Sequence, residues 1–216
     1  VGDEVLFHAK KYFANILLLY STHIQKLLKN VLDLGLEFNM ICPDHGVIWR
    51  KDPVKIIEAY VKWCRQEPEE KAVVVYDTMW ESTKKMAETI TAGIIQEGVP
   101  AKPLHLRKWH RSEVMTEVFD AKAVIVGSPT LNNTLYPSLA DFLTYMKGLK
   151  PLNKIGAAFG SYGWSGEAVK MITKELEAMK FEIIDPGLRV QYIPDQSALD
   201  QCFEMGRKIG QAVKAS

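Results

Sequence analysis

From about residue 71 onward the chain repeats one pattern: a short, almost wholly apolar run, a polar turn, then a stretch of helical periodicity. The apolar runs are 72–76 (AVVVY), 123–127 (AVIVG) and 155–159 (IGAAF). Each is followed by a hydroxyl- or glycine-rich turn, and helical patterns then cover 82–97, 137–148 and 165–180. A weaker strand is expected at 101–106 (AKPLHL), another near 182–193, and an amphipathic helix from about Ser197. Strands alternating with helices predict βαβ units and a parallel sheet. Near-continuous apolar strands predict that the sheet is covered on both faces. The expected fold class is therefore α/β, with a doubly wound, five-stranded parallel sheet complete within residues 71–216.

Residues 1–52 do not share that rhythm. They predict a helix from roughly Phe7 to Leu34, with Ser21 as a candidate break, then a short strand FNMICP ending in Asp44-His45-Gly46. Residues 53–70 read as a connecting helix with Pro53 at its first turn, followed by the Glu-rich linker QEPEEK. One helix, one strand and a connector cannot enclose a core, so this part is expected to be the end of something larger or an appendage on a partner. The net charge of +1 advertises no basic face for nucleic acid or an anionic membrane. No apolar run approaches the roughly 20 residues that span a bilayer, and no signal-peptide pattern is present. Cys42, Cys64 and Cys202 lie far apart without a C-x-x-C pair, which suits a reducing cytoplasm, and all three are expected to be buried bystander thiols.

Ligands of open parallel sheets bind beyond the carboxyl ends of the strands, and three unusual loops lie at such ends. The first, Asp77 to Thr83 (DTMWEST), is dense in hydroxyls and holds neither glycine nor lysine. A helix N-terminus attracts an anion through unpaired N–H groups and its dipole, and Thr78, Ser82 and Thr83 add hydroxyl donors. The alternative is that Ser82 or Thr83 only caps the helix. Neither the nucleoside-triphosphate loop nor the dinucleotide fingerprint is present. A phosphate held without lysine points to a tightly kept cofactor. Glu81 is the awkward member: a carboxylate about 7 Å from a phosphate dianion costs about 1 to 5 kcal/mol, so a phosphate site requires it to face solvent. The second loop, GSPTLNNTLYP (127–137), offers the amides of Asn132 and Asn133 to a flat heterocycle, or is simply a polar loop entering a helix at Pro137. The third, FGSYGWSGEA (159–168), puts Tyr162 and Trp164 on a glycine-rich tip, where stacking on a flat ring would justify them.

Taken together, YDTMWESTKKMA, GSPTLNNTLYP and GSYGWSGEA resemble the three flavin loops of the flavodoxin-like fold and, more narrowly, of the flavodiiron proteins (A-type flavoproteins). Ordinary flavodoxins carry a T-x-T-G-x-T type loop; Trp80 and Glu81 replace its threonine and glycine here, which favours the flavodiiron reading. The resemblance implies FMN, with Thr78, Met79, Ser82 and Thr83 holding its phosphate and Trp80 and Glu81 counted with them in the cofactor-binding turn. It places Pro129, Thr130, Leu131, Asn132 and Asn133 together with Ser161, Tyr162, Gly163, Trp164, Ser165 and Gly166 around the isoalloxazine.

The front segment resembles the tail of that family's metallo-β-lactamase-like domain, and the resemblance makes His45 of the P-D-H-G turn the last ligand of a diiron centre. The other ligand motifs are missing, and a carboxylate-bridged diiron site cannot be built from His45 alone; His8, His23, His105 and His110 read as surface or packing residues. The resemblance thus implies a cytoplasmic FMN domain relaying electrons from a rubredoxin-like carrier or a reduced deazaflavin coenzyme to a diiron centre that reduces oxygen or nitric oxide. It further implies a head-to-tail homodimer. Alternatives are a free-standing electron carrier, an FMN-dependent quinone or NAD(P)H oxidoreductase, and a flavin-free interaction module.

Overall fold

A computed structural model describes residues 2–215, and the chain divides into two units between Glu67 and Pro68. The first unit opens with helix α1 (Gly2–Tyr12), continues through a wide π turn (Phe13–Leu17) and a tight 3-10 turn (Leu18–Tyr20), and resumes as α2 (Ser21–Asp33). The single long helix expected from sequence is thus interrupted over Phe13–Tyr20. Two side chains compete with the helical ladder there: Asn15 donates to the Lys11 carbonyl at 2.8 Å and Ser21 to the Leu18 carbonyl at 2.6 Å. The interruption buries Phe13, which packs its ring against Tyr60 and Trp63 of α3 (Val54–Arg65), with centroids 5.4 and 5.6 Å apart. The expected strand FNMICP contracts to one antiparallel bridge, Ile41 with Trp49; Pro43 has no N–H to extend it. A left-handed Gln66 (φ 51°) ends α3.

The second unit runs β1 (Glu69–Tyr76), α4 (Ser82–Gln96), β2 (Ala101–His105), α5 (Arg111–Asp120), β3 (Ala121–Gly127), β4 (Thr130–Leu131), β5 (Thr134–Leu135), α6 (Pro137–Leu149), β6 (Ile155–Tyr162), α7 (Glu167–Ala178), β7 (Glu182–Ile183), β8 (Leu188–Gln191) and α8 (Gln196–Ala215). The main sheet is parallel, in the order β2-β1-β3-β6, with β7 and β8 both on the free edge of β6. Those two pieces occupy the fifth strand position, so the expected strand at 182–193 is broken. The break turns on Gly187, whose φ of 100° suits glycine and whose N–H donates to Asp185. Pro103 is tolerated because β2 is an edge strand.

Alternation along the strands divides the core. Ala72, Val74, Tyr76, Ala123, Ile125, Ala157 and Phe159 pack with Met86, Ile90 and Ile94 of α4 and Cys202, Met205 and Ile209 of α8. Helices α5 and α7 contact the sheet as well, and α6 buries Leu139, Phe142, Leu143 and Met146. Helices α4 and α8 cross so closely that a Cβ on Gly93 would lie 2.2 Å from the Phe203 carbonyl oxygen, and one on Gly206 2.2 Å from that of Ile90. Helix α5, for which the sequence pattern located no element, is started by His110: its Nδ1 accepts from the Ser112 N–H, and Glu113 accepts from the His110 N–H. A histidine in that role lacks the usual Ser/Thr cap signature. Among the described residues no helix is long and apolar enough to cross a membrane.

Candidate functional site

In this strand order the chain passes from β1 to β2 on one side and then back to β3 on the other, so a crevice opens beyond the ends of β1 and β3. A cleft of about 370 Å³ lies there. The first loop contributes Met79, Trp80 and Ser82 to its walls, the second Pro129 and Thr130, and the third Ser161, Tyr162 and Gly163. Eight residues expected from three separate loops therefore line one cavity.

The turn after β1 is rigid at its base. Asp77 is wholly buried and accepts from the Thr78 N–H (2.6 Å), His105 Nε2 (3.0 Å), Arg107 Nε (2.8 Å) and Ser138 Oγ (2.5 Å). Burial alone would raise its pKa; the hydrogen bonds from Ser138, Thr78 and His105 and the charge of Arg107 outweigh burial and hold the carboxyl below its ordinary range. Thr78 is itself buried, and its Oγ1 has no hydrogen-bond partner among the described residues. A buried hydroxyl left unpaired costs free energy, so this orphan at the base of a loop asks for an external acceptor or donor.

Helix α4 begins immediately after, and its N-cap is Glu81 in the left-handed conformation (φ 65°) with no side-chain capping bond. Neither Ser82 nor Thr83 is the cap. The amides of the first turn thus receive no side-chain cap, the arrangement that suits an anion. The Glu81 side chain is 58% exposed and paired with Lys84, whose hydrogen bond holds the carboxyl below its usual range. Ser82 lines the cleft, whereas the Thr83 hydroxyl is buried against Ser161 Oγ at 2.9 Å, tying α4 to the end of β6.

The second loop folds as a miniature hairpin, β4 against β5, whose two central residues are Asn132 (φ 49°) and Asn133 (φ 58°). Asparagine tolerates left-handed backbone, and two such residues in succession make the tight hairpin turn. Backbone geometry thus accounts for both asparagines without a ligand, and neither they nor Leu131 line the cleft. Asn133 Oδ1 accepts from Ser165 Oγ at 3.2 Å, joining the second loop to the third. Gly166 is the N-cap of α7, close under Tyr162 and Arg189. Trp164 stands outside the cleft walls with 96% of its surface exposed, and Trp80 on the wall is 82% exposed. Indoles this bare, one on the cleft wall and the other one residue past Gly163, present apolar faces to solvent.

Several residues of the site were not singled out from sequence. Tyr192 and Ile193, just past β8, line the cleft and are both exposed; Tyr192 is left-handed (φ 61°), with its N–H donated to the Tyr162 carbonyl at 2.7 Å. His105, expected to be a surface or packing residue, stacks on Tyr76 (5.2 Å) and holds Asp77. A positive φ on a non-glycine residue is the local signal structure adds here; sequence carries none for Tyr192.

In the first unit His45 is exposed and meets Tyr12 ring to ring at 5.6 Å, beside an apolar cavity of about 350 Å³ that also takes in His8, Tyr60 and Trp49. Among the described residues no three His, Cys, Asp or Glu side chains gather as a metal-binding group. The ligand set present does not fit a diiron centre. Cys64 and Cys202 are buried, and burial pushes their thiols up to about 11 and about 12, whereas Cys42, expected to be buried, is exposed.

The flavodoxin family model matches residues 74–206. The chain is 45% identical over 206 residues to a nitric oxide reductase of Moorella thermoacetica, covering 95% of this chain and 52% of that protein. The solved rubredoxin oxygen:oxidoreductase of Desulfovibrio gigas superposes with a TM-score of 0.97 at 39% identity, over 100% of this chain and 54% of the other. A flavodiiron protein from Giardia intestinalis superposes with a TM-score of 0.89 at 33% identity, over 95% and 51%. The chain spans about half the length of the curated relatives it matches.

Proposed function

The chain belongs to the flavodoxin family, and from that premise we propose that the cleft holds FMN and that the chain is the electron-transfer part of a flavodiiron oxygen or nitric oxide reductase. A flavodoxin domain implies FMN. The observation that carries the reading is a buried Thr78 hydroxyl with no partner among the described residues, in the turn that leads into α4, whose N-terminus no side chain caps. A phosphate there receives the Thr78 and Ser82 hydroxyls and the amides of the first helical turn, with Glu81 turned to solvent on Lys84. Pro129, Thr130, Ser161, Tyr162 and Gly163 form the walls for a flat ring, and the bare indoles of Trp80 and Trp164 are its covers. When bound, FMN supplies reversible acceptance and release of electrons; the protein's part is to bind, orient and shield the ring.

The names of the relatives support a rubredoxin-like donor; a reduced deazaflavin coenzyme is the other donor class, and cytoplasmic location and a head-to-tail homodimer belong to the same reading. The domain division we propose is residues 1–52 as the tail of a metallo-β-lactamase-like domain, 53–70 as connector and 71–216 as the FMN domain. Exposure of Leu27, Leu32, Leu34, Leu36 and Met40 supports the first part, since a unit with that much bare apolar surface is suited to packing into a larger domain. His45 is an iron ligand only when the remaining ligands are supplied, so no oxygen or nitric oxide chemistry is assigned to this chain alone.

The test is to purify the chain and quantify FMN and iron in the same sample, then titrate the flavin-free protein with FMN and riboflavin. One FMN per chain, bound more tightly than riboflavin, is expected. A colourless protein that takes up neither flavin would overturn the reading and favour an interaction module. About two irons per flavin would mean that the missing ligands accompany the chain.

A further inference from the structure

The phosphate turn is held from behind by residues that do not line the cleft. Asp77 accepts the Thr78 N–H, and Arg107, which donates Nε to Asp77 at 2.8 Å, donates Nη2 to the Thr78 carbonyl. Both backbone groups of Thr78 are thereby engaged, and its hydroxyl alone is left without a partner among the described residues. The remaining contacts of Asp77 spread the anchorage: His105 belongs to the end of β2, and Ser138 to the first turn of α6. The Arg107 guanidinium also lies 5.9 Å from the Tyr136 ring centroid, which restricts it on a second side. A carbonyl oxygen turned toward a phosphate would repel it, so the direction in which Thr78 is held decides whether the turn attracts or rejects an anion.

We propose that Arg107 and Asp77 are positioning residues for the phosphate turn: together they fix the Thr78 peptide so that the hydroxyl, and not the carbonyl, meets the flavin phosphate. The inference rests on the FMN reading above. It assigns Arg107 no contact with the cofactor. The guanidinium acts through two hydrogen bonds in a forked geometry, which a lysine ammonium does not reproduce. A direct electrostatic pull on the phosphate is the rival role. The Arg107 side chain is 52% exposed and already paired with a carboxylate, so such a pull is screened by solvent and salt.

The test uses the full chain, freed of flavin, and fluorescence titration with FMN and with riboflavin. Arg107→Ala and Asp77→Asn are each expected to weaken FMN about 10- to 100-fold, the scale of one charge-assisted hydrogen bond, while riboflavin changes less than about 3-fold. The loss should persist at high salt and remain in Arg107→Lys. The double variant should lose little more than the worse single one, because both act through one peptide. Asp77 is buried and its variant is at risk of misfolding; Arg107→Ala removes a half-exposed side chain and keeps the test open. Unchanged FMN affinity in Arg107→Ala overturns the proposal, as does equal loss for both flavins. A loss abolished by salt and restored by lysine overturns it in favour of simple charge attraction. Thr78→Val separates the premise from the inference: if it leaves the FMN-to-riboflavin ratio unaltered, the phosphate reading itself fails. If it alters that ratio while the Arg107 and Asp77 variants do not, only the positioning role fails.

Discussion

Adding one methyl group to Gly93 and to Gly148 should shift stability in opposite directions. Both glycines are helical, Gly93 in α4 and Gly148 in α6. Replacing glycine by alanine inside a helix gains about 0.8–1 kcal/mol from backbone propensity alone. At Gly148 nothing lies within 4 Å of the new Cβ, so that gain should appear almost undiminished. At Gly93 the new Cβ would meet the Phe203 carbonyl oxygen at 2.2 Å, with the Arg207 nitrogen and Gly206 Cα both at 3.1 Å. All three are backbone atoms, so no side chain can rotate away. Restoring ordinary contact needs a separation of α4 from α8 of about 1 Å, and overpacking of that kind costs about 1–3 kcal/mol or more. The net effect of Gly93→Ala is a loss of up to about 2 kcal/mol, or about 2–8 °C in Tm for a chain of this size. Urea or thermal unfolding of the two variants beside the parent measures it. A Gly93→Ala protein as stable as Gly148→Ala would refute the close crossing of α4 and α8.

Lys154 is buried, donates Nζ to the Phe119 and Ala121 carbonyls at 2.7 and 2.6 Å, and is pushed down by burial from 10.5 to about 7. Between those values the unfolded chain binds the proton and the folded one releases it, so unfolding free energy should rise with pH from 7 to 10.5 and stay level below 7. At 1.36 kcal/mol per unit the ceiling is about 5 kcal/mol, and the two carbonyl acceptors reduce it, so a rise of about 2–5 kcal/mol is expected. Lys154→Met should lack that rise, and equal slopes in both proteins would refute the assignment. Tyr192→Ala should alter the absorption spectrum or potential of bound FMN and weaken riboflavin and FMN alike, since Tyr192 lines the cleft proposed to hold the flavin; a spectrum identical to the parent's would remove Tyr192 from the site. Ser82→Ala alone should weaken FMN and spare riboflavin, since Thr83 is committed to Ser161 rather than to the phosphate, and equal losses would count against a phosphate at α4.

How much was legible follows from the range of each interaction. The strands at 72–76, 123–127 and 155–159 and the helices after them are legible because the apolar pattern that marks each is local to it. Helix α5 is not legible in the sequence because a histidine starts it in place of a hydroxyl residue. The edge strand reads as continuous because its break depends on one left-handed glycine inside an otherwise extended run. The two asparagines of the second loop carried a real signal, but for turn geometry: residues that tolerate positive φ make the β4–β5 hairpin whatever the cleft holds.

The sequence by itself determined the parallel α/β architecture and the three loops that supply most of the cleft, because hydrophobic burial and turn chemistry act over a few neighbouring residues. Only the tertiary structure decided which groups hold those loops in place. Asp77 meets His105, Arg107 and Ser138 across 28, 30 and 61 residues, and Tyr192 joins the cleft from beyond the last strand. Such pairings arise where the sheet order brings separate strand ends together, and a hydrogen bond between side chains leaves no periodic trace in the chain that makes it.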